Sequence, residues 1–105
     1  MAKNLQTVAR RALTPCAASD AFRFADGGSV RDLAELRHVV STKSAFLVAH
    51  HRAHYHAWIE GVLGDPALAR RIERLGRANG EPEAYRAMLL GVLDERLLKL
   101  RDRVI

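Results

Sequence analysis

Apolar residues recur every three or four positions over most of the chain after residue 28. Four stretches show this spacing, at about residues 29–42, 45–63, 66–76 and 82–103. Such spacing places the apolar side chains on one face of an α-helix, where they can be buried together. Only short breaks separate the stretches, and short connections are typical of antiparallel neighbours in a bundle. We therefore predict an all-α fold, a compact bundle of four to five helices with a short extended N-terminal segment.

Local capping signals indicate where these helices begin and end. Ser29 followed by Asp32 approximates a capping box, so we predict that the first of them begins at Ser29. Asp65 and Pro66 combine an N-cap with a proline in the first turn. Gly64, just before them, is suited to end the preceding helix. The second stretch is accordingly predicted as one unbroken helix.

The N-terminal part of the chain is less regular. Residues 1–20 are predicted to be a flexible basic segment, and residues 21–105 a single helical domain. A short helix over residues 3–13 would have to dock on the domain, because isolated helices of that length are marginal in water.

Residues 21–25 alternate apolar and polar side chains and are followed by a turn sequence, Asp26-Gly27-Gly28. This pattern predicts a short extended segment. One strand cannot form a sheet alone, so the segment either docks Phe22 and Phe24 as anchors or pairs with another chain.

The composition of the chain limits the classes of partner, site and location that fit this protein. The formal net charge is +5, and all but three of the 17 basic residues are Arg, so either an acidic partner or a solvated basic surface fits. The single cysteine, Cys16, excludes a disulfide or a cysteine-based zinc site within one chain, and a cytoplasmic location is expected. No apolar stretch is long enough for a transmembrane helix, so none is predicted.

A series of spaced residues runs in order through the middle of the chain. It comprises Asp26-Gly27, Leu33-x-x-Leu36, Phe46-x-x-x-His50 and Tyr55-x-x-Trp58-Ile59-x-x-Val62-Leu63-Gly64-Asp65-x-x-Leu68-Ala69. This order, over roughly residues 22–75, resembles a family of small prokaryotic domains known only as a domain of unknown function. The sequence departs from the family pattern at Ala53 and His54, where the family has Asn-Asp. The resemblance implies a helical, cytoplasmic, accessory-type domain, and it carries no activity to transfer.

Four of the five histidines are clustered, at His50, His51, His54 and His56. On one continuous helix, His54 would be a neighbour of both His50 and His51. A His-x-x-x-His pair is a geometry that binds zinc, nickel or copper, so His50 and His54 are the predicted ligands if a divalent transition metal is bound. A third ligand would have to come from the preceding helix, from His38, Asp32 or Glu35. The alternatives are structural or solvated histidines, or a face that responds to pH or binds a partner.

A second cluster is basic. It comprises Arg70, Arg71, Arg74 and Arg77 on the predicted short helix after Pro66. Such a face either is simply solvated or binds an acidic partner, including the phosphates of a nucleic acid.

No pattern indicates catalysis. Cys16 is far along the chain from the histidines, and there is no glycine-rich phosphate-binding loop. We predict a protein without enzymatic activity or cofactor: a helical interaction module or small accessory subunit that binds another protein or a larger complex. The predicted partner surface combines Trp58, His51 and His54 with exposed apolar residues of the last helix. The alternatives are a nucleic-acid-associated protein that uses the arginine cluster and a metal-binding protein that uses His50 and His54.

Overall fold

Six α-helices and one two-stranded hairpin form the part of the chain that the computed structural model describes, residues 4–78 and 80–104. The elements are α1 (Leu5–Ala12), β1 (Phe22–Arg23), β2 (Ser29–Val30), α2 (Leu33–Thr42), α3 (Ala45–His50), α4 (Tyr55–Gly61), α5 (Pro66–Arg77) and α6 (Pro82–Arg101), with a short 3-10 helix at Ala18–Asp20 before β1. The prediction of a mostly helical fold is confirmed. Among the described residues, no helix is both long and apolar enough to cross a membrane.

Helix α6 is central to the packing, because it contacts α1, α2, α3 and α5. One face of α6 is buried along its whole length, through Tyr85, Leu89, Leu93, Leu97 and Leu100. Leucine has a high helix propensity and a large apolar side chain, so this face both favours the helix and fills the core.

The N-terminal segment is part of the core in the structure. Val8, Ala9 and Ala12 of α1 are buried, and the Arg11 guanidinium donates to the carbonyl oxygens of Gly61 and Val62 at 3.0 and 2.9 Å. The prediction of a flexible segment over residues 1–20 therefore does not describe α1, although residues 1–3 lie outside the described residues. The docking that a helix of this length needs is supplied by the apolar face of α1.

The predicted extended segment is present, and its partner is within the chain. Phe22 pairs with Val30 in an antiparallel hairpin, and Phe22 and Phe24 are buried as anchors. Because Ser29 belongs to β2, the prediction that a helix begins there is wrong. The helix starts at Leu33, capped by the Asp32 side chain, which accepts from the Glu35 backbone N–H at 2.8 Å.

The predicted single helix over residues 45–63 is two helices, so the chain has more helices than the four or five expected. Between α3 and α4, residues 51–54 form a turn. The Tyr55 hydroxyl donates to the Val48 carbonyl at 2.7 Å, and the His51 ring is inserted into the core. These buried contacts depend on the turn, because a straight helix over residues 45–63 would not bring the same groups together.

The start of α5 confirms the local capping prediction. Gly64 has φ of +70°, a conformation that favours glycine, and the Asp65 side chain caps α5 by accepting from the Leu68 N–H at 3.1 Å. Asp65 is 1% exposed and also accepts two hydrogen bonds from the Arg96 guanidinium, both at 2.8 Å. This buried ion pair joins the N-terminus of α5 to α6.

Candidate functional site

The histidine cluster lies at the break between α3 and α4. His50 is the last residue of α3, His51 lies in the turn, and His54 is the N-cap residue of α4. His51 is 7% exposed, whereas His50 and His54 are exposed. The structure thus brings the predicted residues together, although not on the continuous helix that was predicted.

Both ring nitrogens of His51 make hydrogen bonds. Its Nε2 accepts from the Ala25 backbone N–H at 3.0 Å, and its Nδ1 lies 3.1 Å from Nδ1 of His54. Since Nε2 is an acceptor, the neutral His51 ring carries its proton on Nδ1 and donates it to His54. The ring also packs against Phe22 and Phe24, with centroid distances of 5.5 and 5.2 Å. His51 therefore ties the β1–β2 turn to the helical break.

This environment lowers the pKa of His51. Burial is the main cause, because the charged imidazolium loses hydration, and the neighbouring His50 and His54 lower it further, while Asp26 acts in the opposite direction. Protonation of Nε2 would also place a donor against the Ala25 N–H. The fold consequently favours the neutral ring.

The geometry bears on the predicted metal ligands as well. The His50 and His54 rings have centroids 6.5 Å apart, and His54 Nδ1 faces His51. In the described part of the chain, no group of three or more His, Cys, Asp or Glu side chains is placed to hold a metal ion. Asp32 and Glu35, considered as third ligands, take part in capping α2. Metal binding by His50 and His54 stays a prediction.

Trp58 belongs to the aromatic core. It is 8% exposed, its ring contacts Phe22 at a centroid distance of 5.8 Å, and its Nε1–H donates to the Asp20 carbonyl at 2.7 Å. In this conformation neither Trp58 nor His51 can contribute much area to a partner surface. Of the three ring residues predicted for the partner surface, His54 is the accessible one.

The four arginines of α5 do not form one uniform basic face. Arg71 pairs with Glu95 of α6 at 3.3 Å, and Arg77 pairs with Glu73 at 3.1 Å. Arg70 and Arg74 are exposed and have no ion-pair partner among residues 4–78 and 80–104. Pairing with acids within the chain reduces the positive potential that a phosphate backbone would meet.

Phe46 belongs to the resemblance pattern but to none of the sites predicted from the sequence, and it is exposed. Its side chain is 79% exposed on α3, where Ala45 and Val48 face the core. It borders a cavity of about 560 Å³ between the start of α3 and the start of α6, lined also by Ser44, Ala45, Glu81, Pro82, Glu83 and Arg86. The available signal was that Phe46 falls outside the apolar face shared by Val48 and Tyr55.

Exposed apolar residues on the last helix were predicted and are present. Met88 is 46% and Leu98 74% exposed, on the side of α6 opposite its buried face. They lie apart from the groove around Phe46.

The chain matches no model of a known protein family, no curated protein and no solved structure. The resemblance seen in the sequence thus stays a prediction, and the functional argument depends on the exposed surfaces themselves.

Proposed function

We propose that this protein is a non-catalytic helical interaction module that binds a protein partner in the groove around Phe46. The observation that carries the proposal is the 79% exposure of a phenylalanine at the edge of a cavity. Exposing a ring of this size to water is unfavourable by about 1.5–3 kcal/mol relative to burying it. A partner that covers the ring recovers this free energy.

The groove has walls from two helices. It is defined here by the residues that line the cavity: Ser44, Ala45, Phe46, Glu81, Pro82, Glu83 and Arg86. Ala45 and Phe46 come from α3, and Pro82 and Arg86 come from α6. The Arg86 guanidinium is tied to the Lys43 carbonyl oxygen and to the Glu83 carboxylate, which stabilises the junction of the two helices. The walls are thus largely in place before a partner binds, which reduces the entropy lost on binding.

The charge at the rim indicates the chemistry of the partner. Glu81 and Glu83 border the groove, and Arg86 is already engaged with Glu83. Glu81 has no ion-pair partner among the described residues. We infer a partner segment that inserts an apolar side chain beside Phe46 and carries Lys or Arg next to it.

Native mass spectrometry of the protein, purified gently from its own host, tests the proposal. We expect a defined complex for the wild type and its loss for Phe46→Asp, because the variant places a charge in the apolar contact. Binding is then measured by calorimetry with the purified partner. Phe46→Ala should weaken it by about 30-fold or more, which corresponds to about 2 kcal/mol for a central aromatic anchor.

Val104→Asp is the matched control, since Val104 is 44% exposed and lies outside the groove. This variant should keep the complex. Equal binding by the wild type and Phe46→Asp would show that the partner binds elsewhere.

A further inference from the structure

The outward face of α6 carries a second apolar surface, which shares no apolar residue with the groove, although Glu81 and Glu83 at the groove rim also flank it. All of its residues are exposed, Met88 to 46% and Leu98 to 74%. The surface consists of Ala84, Ala87, Met88, Gly91 and Leu98. Since the opposite face of α6 is buried in the core, the helix is apolar on two sides. Helices of this kind are usually covered on both.

We propose that the occupant of this outward face is a second copy of the chain, with the two α6 helices packed antiparallel about Gly91. Ala84, Gly91 and Leu98 are spaced by seven residues, the repeat that keeps a contact line on one side of a helix pair. With Gly91 opposite Gly91, Leu98 of each copy faces Ala84 of the other. A large side chain then meets a small one at both ends of the contact.

Gly91 itself fits this arrangement. A Cβ added there would meet nothing within 4 Å in the chain, so the internal packing of the protein does not require glycine. Glycine inside a helix costs up to about 1 kcal/mol relative to alanine. At the centre of a helix pair, the missing side chain allows the two backbones to approach closely.

The charges along α6 select a second copy and an antiparallel orientation. The start of the helix is acidic, with Glu81 and Glu83, and its end is basic, with Lys99 and Arg101. At 100° per residue, Glu81 and Lys99 lie on one side of the apolar face, and Glu83 and Arg101 lie on the other.

When the two α6 helices pack antiparallel, each side of the apolar face meets the same side of the second copy. This packing therefore places Glu81 near Lys99 of the second copy, and Glu83 near Arg101 of the second copy. A parallel pair would set acid against acid and base against base.

Between Ala84 and Leu98 the outward face carries two acids, and both are paired within the chain. Asp94 pairs with Arg37 of α2 at 2.7 Å, and Glu95 pairs with Arg71 of α5 at 3.3 Å. In the proposed register these two acids face Ala87 and Met88 of the second copy, so neither is opposed to an acid. Between Ala84 and Leu98 the outward face can thus pack on itself without an uncompensated charge.

Sedimentation velocity over a dilution series tests the orientation through charge reversal. The wild type should dimerise, and Glu81→Lys/Glu83→Lys and Lys99→Glu/Arg101→Glu should each raise the dimer dissociation constant by at least about tenfold, because each opposes like charges at both ends. An equimolar mixture of the two variants should form a heterodimer, since every end then faces its opposite charge. A wild type that is monomeric at all concentrations, or a dimer that tolerates both reversals, would overturn the proposal.

Cross-linking tests the register. In a Cys16→Ser background, Gly91→Cys should oxidise to a covalent dimer, because the two positions meet on the two-fold axis. Ala53→Cys, at an exposed position away from α6, is the control, and equal cross-linking by both would reject the register. Phe46→Asp should leave dimerisation unchanged, so failure of the groove and failure of the α6 contact can be told apart.

Discussion

His51 is a histidine whose role is set by its two ring nitrogens. One accepts from the Ala25 N–H, and the other contacts His54, so the ring joins the hairpin turn to the α3–α4 break. A buried, neutral imidazole in such a place makes the stability of the fold depend on pH.

The free energy of unfolding should fall as the pH drops below neutrality. The pKa of His51 is lowered in the folded protein from its ordinary value of 6.5, so the unfolded chain binds the proton first. The stabilisation is complete above pH 6.5 and is lost as the pH falls from there through the lowered pKa. Urea unfolding at a series of pH values measures this slope.

His51→Gln is the informative variant, because its amide oxygen can still accept from Ala25 but has no proton to gain. It should flatten the slope, whereas His38→Gln, at an exposed position outside the cluster, should leave it as in the wild type. An unchanged slope in His51→Gln would assign the pH dependence to other groups.

At the scale of elements, the C-terminal end of α5 is held against the turn between α3 and α4. The Arg52 guanidinium donates to the Ala78 and Gly80 carbonyl oxygens and lies 4.8 Å from the centroid of the Tyr85 ring. The crossing is close, because a Cβ added at Gly76 would lie 2.4 Å from the Arg52 carbonyl oxygen. Glycine at this position is thus required by packing between elements.

Gly76→Ala should therefore lower the free energy of unfolding by about 1–3 kcal/mol, as expected when a packed backbone has to shift. Gly91→Ala makes the same chemical change where a Cβ meets nothing, and it should raise stability by up to about 1 kcal/mol. Urea unfolding at the lowest workable protein concentration compares the two variants without a contribution from association. Equal effects would mean that helix propensity, and not the crossing, decides at Gly76.

Across the whole molecule, Asp65 and Arg96 form the most deeply buried of the ion pairs found among the described residues. Asp65 caps α5 and accepts from Arg96 of α6, with side-chain exposures of 1% and 11%. The pair joins the two longest helices of the described chain and fixes how α5 lies along α6. Removing one partner leaves the other charge buried without compensation.

Arg96→Ala should lower the free energy of unfolding by about 3–5 kcal/mol, the loss found when a buried pair is broken. Arg37→Ala removes the same type of side chain from an exposed pair with Asp94 and should cost at most about 1 kcal/mol. Chemical unfolding of both variants measures the difference. Similar losses in the two would show that water reaches the Asp65 site.

The histidine cluster could be named from the sequence, but the groove around Phe46 could not, and neither could the exposure of the individual side chains. The histidines do cluster, yet His51 and Trp58 are in the core, and among the Phe, Tyr and Trp rings the exposed one is Phe46. Residue type alone does not distinguish a buried aromatic ring from an exposed one. That depends on which helices pack around the ring.

The sequence by itself determined the features that depend on neighbours along the chain. Helix faces follow from apolar spacing, and the Gly64–Asp65–Pro66 boundary follows from capping chemistry within one turn, so both were predicted correctly. Tertiary structure alone decided the pairing of Ser29 with β1 and the division of residues 45–63 into two helices. In both places, contacts that reach beyond one helical turn, such as Phe22 with Val30 and Ala25 with His51, outweigh a local helical preference of a few tenths of a kcal/mol per residue, because such contacts contribute about 1 kcal/mol or more each.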